Sequence, residues 1–451
     1  MSKELNEEII LQKKQVFSSN CKVNLIAACT PENGILVLDD IQKSKAIQEF
    51  DSSYLKPVFF IPASGSGSRM FQFLFEWLET KVETDLVKSF FDHVEGMAFF
   101  KAHNLELKDK EAFVRQLLDA SQLNLGERPK GLVPFHEENG VYFTAFQDQV
   151  RQAFQLTLND TQINFTIQPQ FEDEIKLHLK SLNLPVQLNF SYQEESTNAF
   201  CFDEHEELIE ANGVPLRRPA GHGALLENLN KIDSDIILIK NIDNVQHTSK
   251  SELTAETWKE ATGVLIKFQR ELKELSNNYS IEKLNALNSV YQFLSPSEID
   301  GINEAKFTSL INRPSRVCGM VKNEGEPGGG PFWVEVSGNV TKQIIEKIQI
   351  SNDSDQQDIV SGSTHFNPVF IVASKTDCNG KRLNLLDFRD NEAFFVVEKS
   401  QQGKKVFYRE LPGLWNGAMS NWNTIFLDIP SETFSPVKTI VDLTKVAHLE
   451  G

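Results

Sequence analysis

A short loop rich in glycine and serine contains residue types that suit phosphate binding. The stretch IPASGSGSRM places five such residues ahead of Arg69: Ser64, Gly65, Ser66, Gly67 and Ser68. Glycine lets a backbone turn tightly or approach a ligand closely, and successive amides ahead of a helix form a nest for anions. Two familiar phosphate loops are excluded, because no Gly-Lys-Ser/Thr ending follows and Met70 stands where a dinucleotide-binding loop has its third glycine. An ordinary strand-to-helix connection would explain the same residues.

The elements around this loop predict an α/β protein. The apolar run PVFFIPA before the loop is typical of a strand buried on both faces. The later strands INFTIQP, VQLNFSYQ and DIILIKNIDNV alternate with helical patterns, which predicts a parallel or mixed sheet covered by helices. Phe71, Phe75 and Phe90 belong to a run of apolar residues at helical spacing, so we expect a helical insertion with these rings in its core. Residues 127–140 are predicted to form a loop.

Composition and charge narrow the classes of partner. The 451 residues carry a formal net charge of −18 without a basic cluster, which argues against nucleic acid as a partner. The five cysteines are scattered and never form a Cys-x-x-Cys pair, so we expect free thiols in a reducing compartment. The N-terminus lacks an apolar leader, and no apolar run approaches the roughly 20 residues of a membrane span. The sequence therefore predicts a cytoplasmic protein that does not contact a membrane, and it leaves the oligomeric state open.

Four segments in the same order resemble the motifs of one enzyme superfamily. They are IPASGSGSRM, RPKGLVPF, RRPAGHGALLENLNKIDSDIILIKNIDNV and ETFSPVKTIVDLTKV. This set is similar to the motifs of sugar nucleotidyltransferases, particularly pyrophosphorylases of the UDP-glucose and UDP-sugar type. The chain resembles a bacterial branch of that superfamily that is classed as a domain of unknown function. Its substrate therefore does not follow from the resemblance.

The resemblance implies a fold, a domain layout and a reaction. The fold would be Rossmann-like α/β of the nucleotide-diphospho-sugar transferase (GT-A-like) type, with a mixed, mainly parallel sheet and helices on both faces. We expect an N-terminal helical segment at 1–56 and a catalytic domain at 57–451. That domain would include the helical insertion at about 71–126 and a mixed sugar-side subregion at about 301–430. The reaction would join a nucleoside triphosphate, with UTP favoured, to a sugar-1-phosphate and release pyrophosphate, with Mg²⁺ as cofactor.

The resemblance also implies roles for individual residues. The amides from Gly65 to Ser68 would hold the β and γ phosphates, while the cations of Arg69, Lys130 and Lys438 would neutralise phosphate charge. Asp243, at the end of a predicted buried strand, matches the position of the metal ligand. The remaining matches concern the nucleobase and the sugar: Gly221, His222, Gly223 and Gln193 would contact the base, and Asn367 would contact the sugar.

Each of these residues has a second interpretation that the sequence leaves open. Asp243 and Asn244 would equally cap a turn, and His222 and Lys438 would equally be ordinary surface residues. The Gly-rich stretch at 326–336 is either a flap over the sugar or a connection. At the level of function, two alternatives stay open: a glycosyltransferase on the same fold, and a nucleotide or nucleotide-sugar binding protein without catalysis. The glycosyltransferase is disfavoured because Asn244 and Val245 follow Asp243 where such enzymes have Asp-x-Asp.

Overall fold

The computed structural model describes residues 3–18, 22–157, 160–300, 302–325, 329–336, 338–401 and 404–450. The helices in these ranges are α1 (Lys3–Ser18), α2 (Asp40–Ser52), α3 (Gln72–Thr80), α4 (Asp85–His93), α5 (Ala98–Ala102), α6 (Lys110–Leu118), α7 (Ala145–Thr157), α8 (Glu172–Lys180), α9 (Leu226–Lys231), α10 (Glu252–Asn277), α11 (Ile281–Tyr291), α12 (Pro296–Asp300), α13 (Glu304–Ile311) and α14 (Ser354–Ser361). None of them is both long and apolar enough to cross a membrane.

The strands of the described residues include both long core strands and short bridging pairs. They are β1 (Asn24–Ala28), β2 (Ile35–Leu36), β3 (Val58–Pro62), β4 (Pro134–Glu138), β5 (Val141–Thr144), β6 (Gln162–Thr166), β7 (Gln187–Ser191), β8 (Ala199–Phe200), β9 (Glu210–Ala211), β10 (Val214–Pro215), β11 (Arg217–Arg218), β12 (Ile236–Ile239), β13 (Ser315–Lys322), β14 (Gly330–Val336), β15 (Asn339–Ile345), β16 (His365–Phe366), β17 (Ile371–Ser374), β18 (Phe395–Gln401), β19 (Lys404–Glu410) and β20 (Asn423–Asp428).

The chain forms two compact units, each assembled from three segments. Unit 1 comprises Met1–Glu49, Gln193–Asp235 and Ala261–Asp428, and unit 2 comprises Phe50–Tyr192, Ile236–Glu260 and Ile429–Gly451. The N-terminal segment 1–56, predicted to be helical, contains α1 and α2 but also the strands β1 and β2. Those strands form because each pairs with a strand far along the chain, β14 for β1 and β20 for β2.

Unit 2 is built on parallel strands in the order β12-β3-β6-β7. The core strands β3 and β12 are continuous apolar runs with nearly every residue buried, which is the pattern of parallel strands covered on both faces. Helix α8 connects β6 to β7, so the predicted alternation of strand and helix is confirmed here. The prediction of a loop at 127–140 is wrong for residues 134–140, which belong to an antiparallel hairpin formed by β4 and β5.

The segment 71–126, predicted to be a helical insertion and called the insertion below, contains the helices α3 to α6 of unit 2. Phe71 and Phe90 are fully buried, as predicted, while Phe75 is only partly buried. The rings pack edge to face, with centroids 6.5 Å apart for Phe71 and Phe99 and 5.7 Å apart for Phe73 and Phe90. These contacts give the insertion an aromatic core of its own.

Unit 1 contains strands with both parallel and antiparallel neighbours, and a separate antiparallel sheet. Strand β13 lies parallel to β20 and antiparallel to β17, and β20 lies parallel to β2. A separate antiparallel sheet has the order β1-β14-β15, and β18 pairs with β19 as a hairpin. In the Gly-rich stretch 326–336, residues from Gly330 onward form strand β14, which pairs with β1 and β15, while residues 326–328 lie outside the described residues.

Candidate active site

The Gly/Ser loop of unit 2 is fixed by backbone pairing with the segment around Lys130. The amide of Gly67 donates to the carbonyl of Arg128 (2.8 Å), and the amide of Lys130 donates to the carbonyl of Gly65 (3.1 Å). On the other side, the side-chain amide of Gln168 donates to the carbonyl of Ser64 (2.6 Å). The two motifs that a long insertion separates in sequence are therefore neighbours in the fold.

Glycine at position 67 is explained by this pairing. A Cβ atom there would lie 2.3 Å from the carbonyl oxygen of Leu125, a distance at which the backbone would have to move. The same pairing corrects one part of the predicted phosphate nest, since the amide of Gly67 already has an acceptor. Among the described residues, the amides of Gly65, Ser66 and Ser68 have no backbone acceptor, so the nest that remains contains three amides.

Asp243 follows β12 at the carboxyl end of the parallel strands and is 3% exposed. Its Oδ2 accepts a hydrogen bond from Nζ of Lys130 at 2.5 Å, and Nζ of Lys438 lies 3.9 Å from the same oxygen. Burial alone would raise the pKa of this carboxyl, but the charges of Lys130 and Lys438 together with the hydrogen bond hold it below its ordinary value. The structure thus brings Lys130 and Lys438, from two distant motifs, to the carboxylate of Asp243 in a third.

One face of α7 holds the backbone around Asp243 in place. The side-chain amide nitrogen of Gln149, which is 1% exposed, donates to the carbonyls of Asn241 (3.0 Å), Ile242 (3.0 Å) and Asn244 (3.2 Å). One turn further along α7, Gln152 donates to the carbonyl of Gln246 at 2.9 Å. A buried amide that serves several carbonyls at once fixes the loop conformation and so the direction of the Asp243 side chain.

Gln152 also accepts a hydrogen bond from Nζ of the buried Lys240 at 3.3 Å. Burial lowers the pKa of Lys240 to about 7. A lysine that loses charge near neutral pH thus lies three residues before the Asp243 carboxylate.

Lys438 is positioned by the C-terminal segment of unit 2. The amide of Val437 donates to the carbonyl of Asp243 (3.0 Å), so the two segments are joined next to the site. The carboxylate of Asp442 accepts the amides of Lys438 (2.9 Å) and Thr439 (2.7 Å), which caps the short turn Ile440–Thr444. Helix α4 of the insertion contacts that turn, so the insertion supports the segment that carries Lys438.

Asp243 also fits the requirement for a divalent metal ligand. Its Oδ1 is buried and has no hydrogen-bond partner among the described residues, which leaves one carboxylate oxygen available. No group of three or more His, Cys, Asp or Glu side chains suited to a metal occurs in the described part of the chain. Mg²⁺ is usually held by one or two carboxylates together with phosphate oxygens and water, so a single carboxylate suits a metal that arrives with a nucleotide.

Arg69 and Ser68 lie at the exposed tip of the loop. The guanidinium of Arg69 has no ion pair and no hydrogen bond to a described residue, and the hydroxyl of Ser68 lies 3.0 Å from that of Ser66. An unpaired guanidinium and two hydroxyls beside free amides are the groups that bind phosphate oxygens. The geometry of the loop is compatible with the predicted role.

The residues predicted to contact the nucleobase and the sugar all belong to unit 1. Ring stacking on Trp415 (centroids 4.1 Å apart) and a hydrogen bond from the amide of Leu414 (3.0 Å) fix His222. The flanking glycines pack against the chain itself, because a Cβ at Gly221 would lie 2.4 Å from a carboxylate oxygen of Glu410 and one at Gly223 would lie 2.2 Å from the carbonyl of Pro412. These contacts explain both glycines without a ligand, and their role at a base stays a prediction.

Gln193 and Asn367 differ in how much of their side chains is free. The amide nitrogen of Gln193 is buried and has no partner among the described residues. Asn367, in contrast, donates to the carbonyl of Gly319 (2.9 Å) and accepts from the amide of Val369 (3.1 Å), so its side chain fixes β13 and its own turn. Sugar binding by Asn367 would require replacing these bonds and stays a prediction.

Comparison with known proteins places the chain in a family. The model of the family described as Domain of unknown function (DUF4301) matches residues 1–449. The chain belongs to the DUF4301 family. No curated protein matches this DUF4301 chain.

Three solved structures are similar to the DUF4301 chain. The UDP-N-acetylglucosamine pyrophosphorylase of Trypanosoma brucei is 12% identical, with a TM-score of 0.51 over 98% of this chain and 74% of that one. A putative UDP-N-acetylglucosamine pyrophosphorylase of Entamoeba histolytica is 13% identical, with a TM-score of 0.46 over 91% and 82%. The UDP-glucose phosphorylase of T. brucei is 12% identical, with a TM-score of 0.47 over 98% and 75%. At such low identity the first of these shows similarity of fold alone.

The sequence of the DUF4301 chain did not indicate two residues that position the site, Gln149 and Asp442. Gln149 lies in a helix whose polar residues look like a solvated face, although residues 145–150 are all buried. Asp442 stands in the segment KTIVDL that was matched, but its carboxylate has a structural partner that only the turn geometry reveals. The apolar residues Phe146, three positions before Gln149, and Ala153, four positions after it, are the sequence signal that would have indicated a buried face.

Proposed function

We propose that this protein transfers a nucleotidyl group between a nucleoside triphosphate, with UTP favoured, and a sugar-1-phosphate in the presence of Mg²⁺. The observation that carries the proposal is the convergence of Lys130 and Lys438 on Asp243 beside the loop of free amides. Attack at phosphorus needs charge neutralisation and alignment more than a protein nucleophile. This set of groups supplies both.

Each group has a place in the reaction. An oxygen of the sugar-1-phosphate attacks the α-phosphorus, the bond from that phosphorus to the bridging oxygen breaks, and pyrophosphate leaves with its electron pair. The amides of Gly65, Ser66 and Ser68 with Arg69 would hold the departing phosphates, and Lys130 and Lys438 would neutralise charge around the α-phosphate. Asp243 would hold Mg²⁺, which when bound supplies further charge stabilisation.

A direct test measures pyrophosphate release by the full-length protein. Four nucleoside triphosphates are combined with a panel of sugar-1-phosphates, with Mg²⁺ or with excess chelator. We expect release with at least one pair, dependent on Mg²⁺, and a large loss in Lys438→Met but not in Lys180→Met, an exposed lysine of α8. Absence of release from every pair, with nucleotide bound, would overturn the proposal.

A second candidate function is nucleotide binding without turnover. The observation in its favour is the short Lys130–Asp243 contact, because an ammonium group at 2.5 Å already neutralises the carboxylate that a metal would need. In that case calorimetry would show nucleotide affinity that does not change when Mg²⁺ is removed, and no pyrophosphate would form.

Gln149→Leu should raise the Mg²⁺ concentration needed for half-maximal activity and lower kcat. The product of these two effects should be about ten- to a hundredfold. The substitution removes the amide that serves three carbonyls around Asp243, so the carboxylate would lose its fixed direction. Gln155→Leu is the matched control, because Gln155 lies on the same helix but, among the described residues, bonds only the hydroxyl of Ser251 (2.7 Å). Equal Mg²⁺ dependence in the two variants would show that Gln149 does not position the site.

A further inference from the structure

A hydroxyl, an imidazole and a carboxylate form a hydrogen-bonded chain of groups in unit 1 that the proposed reaction does not use. Oγ1 of Thr364 lies 2.8 Å from Nδ1 of His365, and Nε2 of His365 lies 3.2 Å from Oδ1 of Asp428. Thr364 is exposed, whereas His365 is 3% exposed. The chain of groups therefore runs from an exposed residue through a buried ring to a carboxylate.

Strand β13 brings these three residues together. β16, which begins at His365, and β20, which ends at Asp428, both pair with β13 close to its C-terminal end. The carbonyl of Thr364 accepts the amide of Asn323, the residue that follows β13, at 2.9 Å. The positions of all three residues are thus fixed by backbone pairing with one strand or with the residue after it.

The partners of the imidazole decide which of its nitrogens carries the proton. The carboxylate of Asp428 only accepts hydrogen bonds, so Nε2 of His365 carries the ring proton. Nδ1 then has no proton and accepts the hydroxyl of Thr364. A nucleophile, its general base and an orienting carboxylate are bonded in this direction, because the hydroxyl can pass its proton to the ring while its oxygen attacks.

Two further groups near Thr364 suit the negative charge that develops on an attacked carbonyl oxygen. The backbone amide of Thr364 has no acceptor among the described residues, and the amide of the nucleophile itself is a common donor to such an oxygen. Lys322, which is paired with His365 in the sheet, is exposed and makes no ion pair with a described residue. The region therefore offers charge stabilisation as well as a base.

We propose that Thr364 is a nucleophile that accepts an acyl group from an activated ester, with His365 as its general base and Asp428 as the residue that positions the ring. Oγ1 would attack the carbonyl carbon while its proton passes to Nδ1. The leaving alcohol would take that proton as its bond to carbon breaks. Water would then hydrolyse the acyl-threonine with the same ring as base, which releases the carboxylic acid and restores the hydroxyl.

Labelling of the full-length protein with a fluorophosphonate, without nucleotide or sugar phosphate, tests this proposal. Oγ1 attacks phosphorus, fluoride leaves and the imidazole takes the proton, so a stable adduct marks the nucleophile. Peptide mass spectrometry should show the adduct forming on Thr364 at least about a hundredfold faster than on Thr80 and Thr308. These two threonines are matched controls, because both are exposed and their hydroxyls donate to backbone carbonyls of their own helices at 2.8 Å.

Three variants distinguish a nucleophile from an incidental hydrogen bond. Thr364→Val keeps the shape but removes the hydroxyl, so labelling at this position should be lost and p-nitrophenyl acetate hydrolysis should fall, whereas Thr364→Ser should keep both. In Asp428→Asn the side-chain amide can donate to Nε2, which moves the ring proton to Nδ1. We therefore expect labelling of Thr364 to slow by about a hundredfold or more. Thermal unfolding checks that each variant is folded.

Any of three results would contradict the proposal. These are labelling of Thr364 no faster than that of Thr80 and Thr308, unchanged labelling in Asp428→Asn, or equal p-nitrophenyl acetate hydrolysis by the wild type and Thr364→Val. If Asp428→Asn does not fold, the other two comparisons decide. Because the adduct forms without any nucleotide, the outcome does not depend on whether nucleotidyl transfer occurs.

Discussion

Asp243→Asn should lower the rate of nucleotidyl transfer by about a hundred- to a thousandfold while the protein stays folded. The amide keeps the shape of the side chain but removes the charge that Lys130 and Lys438 share and the anionic oxygen offered to Mg²⁺. Loss of the charge weakens the pairing with Lys130 and Lys438 and so lowers stability, but the amide oxygen still accepts the hydrogen bond from Lys130, so we expect a folded protein with reduced turnover. The measurement is the initial rate of pyrophosphate release at saturating triphosphate, repeated over a series of Mg²⁺ concentrations.

The matched control is the same substitution at another buried aspartate. Asp148 is fully buried and bonds His136 (2.7 Å) and Arg151 (3.2 Å), but it is absent from the candidate active site. Asp148→Asn should lower stability and leave the rate of the folded protein near that of the wild type. If Asp243→Asn retained half of the activity, or if both variants lost it equally, Asp243 would not be the metal ligand.

The parallel strands of unit 2 were predictable because a strand that is buried on both faces has a recognisable pattern of apolar residues in its own sequence. β3 and β12 are unbroken apolar runs, and such runs are uncommon outside buried strands. The strand β4 lacks that trace, since it ends on Glu137 and Glu138, and its pairing depends on a hairpin partner. β1 likewise depends on pairing with β14, about 300 residues away, so no residue pattern within the N-terminal segment predicts this strand.

The candidate site shows the same division between local and long-range information. The residue types of the Gly/Ser loop predict a backbone that is able to bind anions. They also predict that the glycine positions of this loop need glycine. The residue types do not show that the Gly67 amide donates to the carbonyl of Arg128, because that hydrogen bond depends on how the segment 128–130 packs against the loop. The position of Gln149 is likewise a tertiary fact, since its three acceptors lie more than 90 residues away.

The buried histidine His448 should make the free energy of unfolding fall as the pH falls below about 6.5. His448 is 4% exposed, and burial first and the neighbouring His136 second lower its pKa from 6.5 to about 3, with smaller effects of Asp442 and Lys445. Between about pH 3 and pH 6.5 the unfolded chain therefore binds a proton at His448 that the folded chain does not bind. Its contribution is fully present above pH 6.5 and is lost by about 1.4 kcal/mol per pH unit on acidification.

The geometry around His448 explains why its protonation is costly. His136 donates its Nδ1 proton to the carboxylate of Asp148 (2.7 Å), and its Nε2 lies 2.9 Å from Nδ1 of His448, so one proton joins the two rings. The rings are stacked with centroids 5.2 Å apart, and that of His247 lies 5.6 Å from that of His136. A second proton on His448 would go to Nε2, which is buried and has no partner among the described residues. The added charge would be desolvated and uncompensated.

Urea unfolding at pH 7.5, 6.5 and 5.5 separates this residue from the other titrating groups. His448→Asn keeps an N–H donor in reach of His136 but removes the group that titrates, so its unfolding free energy should be lower at pH 7.5 and should change less between pH 7.5 and 5.5 than in the wild type. His93→Asn is the control, because His93 is exposed and its one hydrogen bond to a described residue goes to the carbonyl of Ser89 (2.7 Å) in its own helix. It should keep the wild-type pH dependence. An equally steep decline in His448→Asn would assign the acid sensitivity to other groups and leave the histidine pair with a packing role alone.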